Sequence, residues 1–139
     1  MKTATRFVTA AILMALPAPA FADAIMGTMY KNPSCTCCET YAAYLEKNGF
    51  KITIIPTNDL DQVAAKEGVP AQLRGCHTIK IGSYIVEGFV PADQVKKMLT
   101  SMPAITGLSM PGMAKQTYTT MAFTKGGAEP TVYDTYPKS

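Results

Sequence analysis

Three of the four cysteines fall within four consecutive positions, at Cys35, Cys37 and Cys38, and the fourth, Cys76, directly precedes the only histidine, His77. Such a dense group of sulfurs is a poor structural staple, because two bridges anchored at nearly one place would constrain little of the chain. We therefore expect a fold in which the group serves thiol redox chemistry or a soft metal ion.

The first 22 residues have the features of a secretory signal peptide. Lys2 and Arg6 form a short positive region, residues 7–16 are apolar, and residues 20–22 (Ala-Phe-Ala) suit a cleavage site. The apolar stretch is shorter than the ~18 residues that a spanning helix needs, which disfavours the alternative of a membrane anchor or an apolar N-terminal helix. We expect cleavage near Ala22, export to a bacterial periplasm, and no membrane span in the mature chain.

The charge distribution argues against a nucleic-acid partner. The formal net charge is +3, and the basic residues are scattered along the chain and form no patch. The length that remains after the signal suits one domain with a modest core.

Apolar, β-branched runs alternate with helical periodicities along the mature chain. Strands are predicted at 24–30, 50–55, 79–81 and 84–87, and helices at 36–47, at 60–66 and from Pro91 to just before Pro103. The order strand–helix–strand–helix–hairpin–helix predicts a three-layer α/β fold. Because a C-x-x-C spacing lies at the first strand-to-helix junction, the arrangement is typical of a thioredoxin-like sandwich.

The pattern changes after Pro103. Residues 104–113 predict a loop that carries Met110 and Met113, and the polar residues 114–139 predict an extension with one or two edge strands, at 118–123 and 131–136. The predicted organisation is a signal peptide (1–22), one main domain that includes the methionine loop (23–113) and the C-terminal extension (114–139).

A thiol–disulfide oxidoreductase is one interpretation of the cysteines. Cys35 and Cys38 have the C-x-x-C spacing at a predicted helix N-terminus, where unpaired N–H groups and the helix dipole stabilise a thiolate. Cys37 would be an idle thiol in such an enzyme, and Cys76 and His77 occupy the place where thioredoxins have a proline. A purely structural pair of disulfides is a third alternative, although neighbouring cysteines bridge only through a strained ring.

A soft-metal site uses all the sulfurs. Thiolates and thioethers select Cu(I), and imidazole also suits copper and zinc. Adjacent cysteines can bridge two ions, so a polynuclear copper cluster is an alternative to a single ion. Zinc is less favoured, because zinc sites usually pair two C-x₂₋₄-C knuckles and this chain has one. The candidate ligands are Cys35, Cys37, Cys38, Cys76, His77, Met110 and Met113, and the two methionines serve either as thioether ligands or as a lid over the site.

Four motifs occur together in the chain: Tyr30-Lys-x-Pro-x-Cys-x-Cys-Cys38, Cys76-His77-Thr78, Glu87-Gly-x-Val-Pro91-Ala and Leu108-x-x-Pro-Gly-Met113. Their combination resembles the CopG family of periplasmic copper-resistance proteins, over residues 25–113. The resemblance implies a thioredoxin-like fold and a multi-copper cluster bound by the four cysteines, with the two methionines as further candidate ligands. It also implies interconversion of Cu(I) and Cu(II) in copper detoxification.

The chain departs from the family pattern in two places. Phe89 stands where family members usually have a histidine, and Ala114 begins a segment that lacks the second Pro-Gly-Met motif. Cu(II) favours nitrogen ligands, and Phe89 removes one of them. We therefore expect Cu(I) sequestration rather than catalysis, and the sequence leaves open whether the chain is an enzyme. The remaining alternatives are an oxidoreductase using Cys35 and Cys38, and a chaperone that passes copper to other periplasmic copper-handling proteins through the methionine loop.

Overall fold

The computed structural model describes residues 23–111 and 118–136. The helices in these ranges are α1 (Thr36–Lys47), α2 (Leu60–Lys66) and α3 (Ala92–Ser101), with a 3-10 turn at Ala71–Leu73. The strands are β1 (Ile25–Lys31), β2 (Phe50–Pro56), β3 (His77–Ile81), β4 (Tyr84–Gly88), β5 (Gly107–Met110), β6 (Tyr118–Phe123) and β7 (Thr131–Tyr136). None of the helices described is both long and apolar enough to cross a bilayer.

All seven strands belong to one mixed sheet, in the order β2-β1-β3-β4-β5-β6-β7. The pairs β1/β2 and β4/β5 are parallel, and the other neighbouring pairs are antiparallel. This arrangement confirms the predicted α/β class. The parallel pair β1/β2 is connected through α1, so the turn between β1 and α1 lies beyond the C-terminal end of β1.

Helices cover both faces of the sheet. Because side chains alternate along a strand, Ile85 and Val86 point to opposite faces, as do Ala122 and Phe123. Val86 and Ala122 join the larger buried cluster, which includes residues of α1 and α3. Ile85 and Phe123 join the smaller cluster, to which α2 contributes Ala64. The sheet is therefore the middle layer of the fold.

Helix α1 begins and ends where its sequence predicts. Cys35 is the N-cap residue, with an extended backbone and no side-chain cap, and Glu39 supplies an acidic group to the first turn. Asn48 caps the C-terminus, and Gly49 follows with a φ of +89°, a conformation that glycine adopts without strain. The observed bounds of α1 and α2 agree with the predicted ones.

The loop predicted for residues 104–113 is wrong in its central part. Residues 107–110 form β5, which pairs with β4 on one side and with β6 on the other. Met110 is only 1% exposed, although the sequence predicted that it lies in a loop. The strand is only four residues long and its pairing partners are distant in sequence, so no local pattern reveals it. Met113, the other predicted loop methionine, lies outside the described residues.

Each edge of the sheet carries one local interruption. Strand β2 ends at Pro56, and β7 pairs with β6 through a register shift at Thr120 and Met121. Strands β6 and β7 occupy the ranges predicted for strands in the C-terminal segment, and β6 lies inside the sheet, with β7 at its edge.

Candidate metal centre

The turn from β1 into α1 brings three sulfurs together. The Sγ atoms of Cys35, Cys37 and Cys38 all lie within 4.8 Å of one another, which is close enough for a single ion to contact them. Cys35 occupies the helix N-cap, and the other two cysteines belong to the first turn of α1. The N–H groups of that turn have no partner within the helix, so the site favours negative charge on sulfur.

Two of these sulfurs are bonded to each other. Cys35 and Cys38 form a disulfide, and Cys37 keeps a free, half-buried thiol. The Sγ of Cys37 lies 3.3 Å from the Sγ of Cys35. Since a disulfide sulfur carries no proton, the Cys37 thiol is the donor in this contact. The described state is thus the oxidised form of the cluster, with one of its three sulfurs available as a thiol.

Cys76 lies at the mouth of the same site. Its backbone carbonyl accepts a hydrogen bond from the Asn32 N–H at 3.1 Å, and the Sγ of Cys38 lies 3.4 Å from that carbonyl oxygen. The exposed Cys76 thiol lines a shallow cavity of about 360 Å³ together with Cys35 and Cys37. Cys76 does not, however, join the group of sulfurs within 4.8 Å among the described residues.

His77 follows Cys76 in sequence but faces the protein interior. Its ring stacks on Tyr41 with 5.3 Å between centroids and meets the edge of Phe89 at 5.9 Å. Burial lowers the pKa of His77 to about 4, so the ring is neutral at neutral pH. Its Nε2 lies 3.1 Å from the carbonyl oxygen of Gly88 and therefore carries the proton. Its buried Nδ1 keeps a lone pair with no hydrogen-bond partner in the described part of the chain.

Met110 shares the larger buried cluster with Cys35 and Cys38. It pairs with Gly88 across β4 and β5. No position is described for Met113. The structure thus brings the first three predicted cysteines together, places Cys76 at their rim, and buries His77 and Met110 in the core.

Lys31 is a buried charge that the sequence analysis missed. Its Nζ donates to the carbonyl oxygens of Asn32 and Pro33 at 3.2 and 3.3 Å, and it lies 3.4 Å from the Glu39 carboxylate on α1. The ammonium therefore ties the end of β1, the cysteine turn and the first turn of α1 together. The sequence signal that could have identified Lys31 is its position in the first of the four motifs, four residues before Cys35.

Glu87 is a second buried charged residue that the sequence analysis did not select. Its Oε1 accepts a hydrogen bond from the Thr78 hydroxyl, and its Oε2 accepts one from the Gly75 N–H at 3.1 Å. Burial raises the pKa of Glu87 to about 7, while these two hydrogen bonds and the nearby Arg74 act to lower it. Because Gly75 precedes Cys76, this carboxyl group holds the segment that presents the fourth sulfur.

The chain is similar to known proteins in both sequence and structure. A family model described as "Protein of unknown function, DUF411" matches residues 73–118, which include Cys76 and His77. Two solved structures, described as copper resistance protein copG in form 1 and form 2, share 29% and 30% sequence identity with the chain. Both have a TM-score of 0.74, they align with 83% and 82% of this chain, and each is covered over 99% of its own length.

The chain belongs to the CopG family of copper resistance proteins. No curated protein matches its sequence significantly. The CopG relationship confirms the resemblance that the four motifs indicate, and the cysteine cluster at the β1–α1 turn fits copper binding, since thiolates are soft ligands. The family model covers Cys76 and His77 but not the three cysteines of the β1–α1 turn, whereas the two CopG structures align with 83% and 82% of the chain.

Proposed function

We propose that the protein is exported to the periplasm and sequesters Cu(I) there through Cys35, Cys37, Cys38 and Cys76. The observation that carries this proposal is the convergence of three sulfurs within 4.8 Å at a helix N-terminus, in a chain of the CopG family. Soft thiolates select Cu(I), and the free N–H groups and dipole of a helix N-terminus favour negative charge on nearby sulfur, the form that a metal needs.

Copper loading in this proposal depends on the redox state of the cluster. A disulfide sulfur is no thiolate ligand, so the oxidised cluster offers only Cys37 and, at the rim, Cys76. Two-electron reduction of the Cys35–Cys38 bond releases two more thiolates beside them. We therefore expect the reduced protein to bind more Cu(I) than the oxidised protein.

Three finer assignments belong to the same proposal. The first is a thioredoxin-like fold for β1 to α3, supported by the C-x-x-C at the strand-to-helix junction of a βαβ unit. The second is a polynuclear cluster that cycles between Cu(I) and Cu(II). The third is a contribution from His77, whose Nδ1 lone pair is available, and from Met110 and Met113.

The proposal is tested by an anaerobic Cu(I) titration of the protein before and after reduction. We expect the reduced protein to bind more than one Cu(I) per chain, with fewer bound after Cys37→Ser or Cys76→Ser, because each exchange removes one soft ligand. Ser34→Ala, a change in the same turn that removes no sulfur, is the matched control. Copper binding that Cys37→Ser leaves unchanged, together with loss of disulfide reductase activity in Cys35→Ser, would contradict the proposal.

The second candidate function is thiol–disulfide exchange by Cys35 and Cys38. The disulfide between these two residues favours it, since the pair is already in one of the two states of such an enzyme. An insulin reduction assay separates the two functions, because an oxidoreductase needs neither Cys37 nor Cys76. The chaperone alternative has no comparable support, since Met110 is buried in β5.

A further inference from the structure

We propose that a dithiol reductase is a partner of this protein and that it opens the Cys35–Cys38 disulfide by attack at Cys35. The inference rests on the proposed function, because the bond that the partner breaks is the one that withholds two copper ligands. It adds a class of partner, the sulfur that is attacked and the surface on which the partner docks.

The two sulfurs of the disulfide differ in access from solvent. Cys35 is 9% exposed and lines the shallow cavity, whereas Cys38 is 0% exposed and lies beneath the Cys76 carbonyl. A thiolate has to reach the sulfur along the bond that breaks, so exchange occurs at the accessible sulfur. Attack from outside therefore takes place at Cys35.

The environment of Cys38 suits a leaving thiolate. Cys38 belongs to the first turn of α1, whose free N–H groups and dipole stabilise negative charge. If the released sulfur takes up a proton, the resulting thiol can donate to the Cys76 carbonyl oxygen, which already lies 3.4 Å away. Both forms of the released sulfur thus have a partner without movement of the helix.

The reaction proceeds through a mixed disulfide. A partner thiolate bonds to the Sγ of Cys35, the Cys35–Cys38 bond breaks, and its electron pair stays on the Sγ of Cys38. The second thiolate of the partner then attacks the partner's own first sulfur, which releases Cys35 as a thiolate. Two electrons pass from the two thiolates of the partner to this protein, which then holds two thiolates, and the partner keeps the disulfide.

The surface beside Cys35 has room for a protein segment. The cavity that contains Cys35 adjoins a second cavity of about 260 Å³, and Asn32 lines both. Asn58, Arg74 and Gly75 also line the second cavity, so a partner segment placed there meets polar side chains and backbone groups. A small thiol such as glutathione needs only the first cavity, whereas a reductase that presents its cysteine on a loop contacts both.

The test uses the oxidised full-length protein and thioredoxin whose resolving cysteine is replaced by serine, so that the mixed disulfide persists. The protein carries Cys37→Ser and Cys76→Ser, so that no free thiol exchanges and the cavity beside Cys35 stays open, and the linked cysteine is then identified by peptide mass spectrometry. We expect the bond at Cys35 to exceed that at Cys38 by about tenfold or more. A bond mainly at Cys38, or equal bonds at both, would overturn the proposal.

Docking is tested by comparing reduction rates with intact thioredoxin and with glutathione. Asn58→Trp fills the second cavity, and we expect it to slow thioredoxin about tenfold and to leave glutathione unchanged, because only the protein contacts this surface. Thr100→Trp, at an exposed position near the end of α3, is the control. Equal rates for Asn58→Trp and wild type with thioredoxin would overturn the docking surface.

These measurements separate the two proposals. A reduced protein that binds no Cu(I) defeats the proposed function and leaves the position of the mixed disulfide unaffected. A mixed disulfide at the wrong cysteine defeats the partner inference, even when the reduced protein binds copper.

Discussion

Glu87 and His77 are both buried, on neighbouring strands, and their pKa values are displaced in ways that act oppositely on stability. The pKa of Glu87 is raised to about 7, and the pKa of His77 is lowered to about 4, in both cases chiefly because burial disfavours the charged form. The protein therefore keeps both side chains neutral in mildly acidic solution, where neither requires a counter-charge in the core.

The Glu87 shift predicts a loss of stability as the pH rises. Between the unfolded pKa of 4.5 and the folded pKa of about 7, the unfolded chain releases a proton that the folded chain retains. The free energy of unfolding consequently decreases across this window, by roughly 3 kcal/mol at most. Urea denaturation at several pH values should show this decrease in the wild type relative to Glu87→Gln.

His77 is present in both the wild type and Glu87→Gln, so the difference between their free energies of unfolding isolates the contribution of Glu87. Its own contribution has the other sign, since stability is lost as the pH falls from 6.5 towards 4. Glu46→Gln, an exposed exchange on α1, is the control. A wild-type minus Glu87→Gln difference that does not change with pH would refute the assignment.

At the scale of elements, β5 contributes side chains to the buried cluster that contains the disulfide. Its four residues are all buried between β4 and β6, and Met110 belongs to the same apolar cluster as the disulfide. Gly107 is required for this close packing: a Cβ there would overlap the backbone carbonyl oxygen of Ile85 and lie 2.9 Å from the Phe123 ring.

Gly107→Ala should therefore destabilise the protein by roughly 2 kcal/mol, because the added methyl group forces neighbouring backbone apart in a packed interior. The measurement is the midpoint of urea denaturation of the oxidised protein. Gly75→Ala is the matched control, since a Cβ at that position would meet only Glu87 Oε2, at 3.9 Å. Equal midpoints for the two variants would show that β5 tolerates separation from β4.

At the scale of the whole molecule, the C-terminal strands complete the sheet. Strand β6 pairs with β5, and Phe123 on β6 is buried with Ile85, Val69 and Ala64 in the smaller cluster. The segment after residue 113 thus supports the face of the sheet that carries α2. The division of the chain at residue 113 remains a prediction from composition alone.

A chain that ends at residue 113 should lose at least about 3 kcal/mol of stability, because it lacks the buried Phe123 and leaves one side of β5 unpaired. Denaturation followed by circular dichroism measures this loss. A chain that ends at Pro130 retains β6 and lacks only β7, and it should be affected less. If both truncated chains unfold at the same urea concentration, the role given to β6 is incorrect.

Local patterns predicted most of the first half of the fold. The bounds of α1 and α2 followed from apolar periodicity and from their terminal residues, and the crowding of Cys35, Cys37 and Cys38 followed directly from their spacing. Whether a cysteine is a thiol or part of a disulfide depends on the redox conditions around the protein, which a sequence does not record. Burial of Lys31 and Glu87 and the formation of β5 depend on contacts between distant segments, which a local pattern does not contain.

The two ends of the sheet bear on how the protein behaves in concentrated solution. An exposed edge strand offers unpaired N–H and C=O groups to other chains, and Ile54, Ile55 and Val132 add apolar surface near the edges. Pro56 removes a backbone donor at the end of β2, and the register shift between β6 and β7 distorts the opposite edge. Both irregularities oppose the pairing of a second chain with either edge, which is the first step of strand-to-strand aggregation.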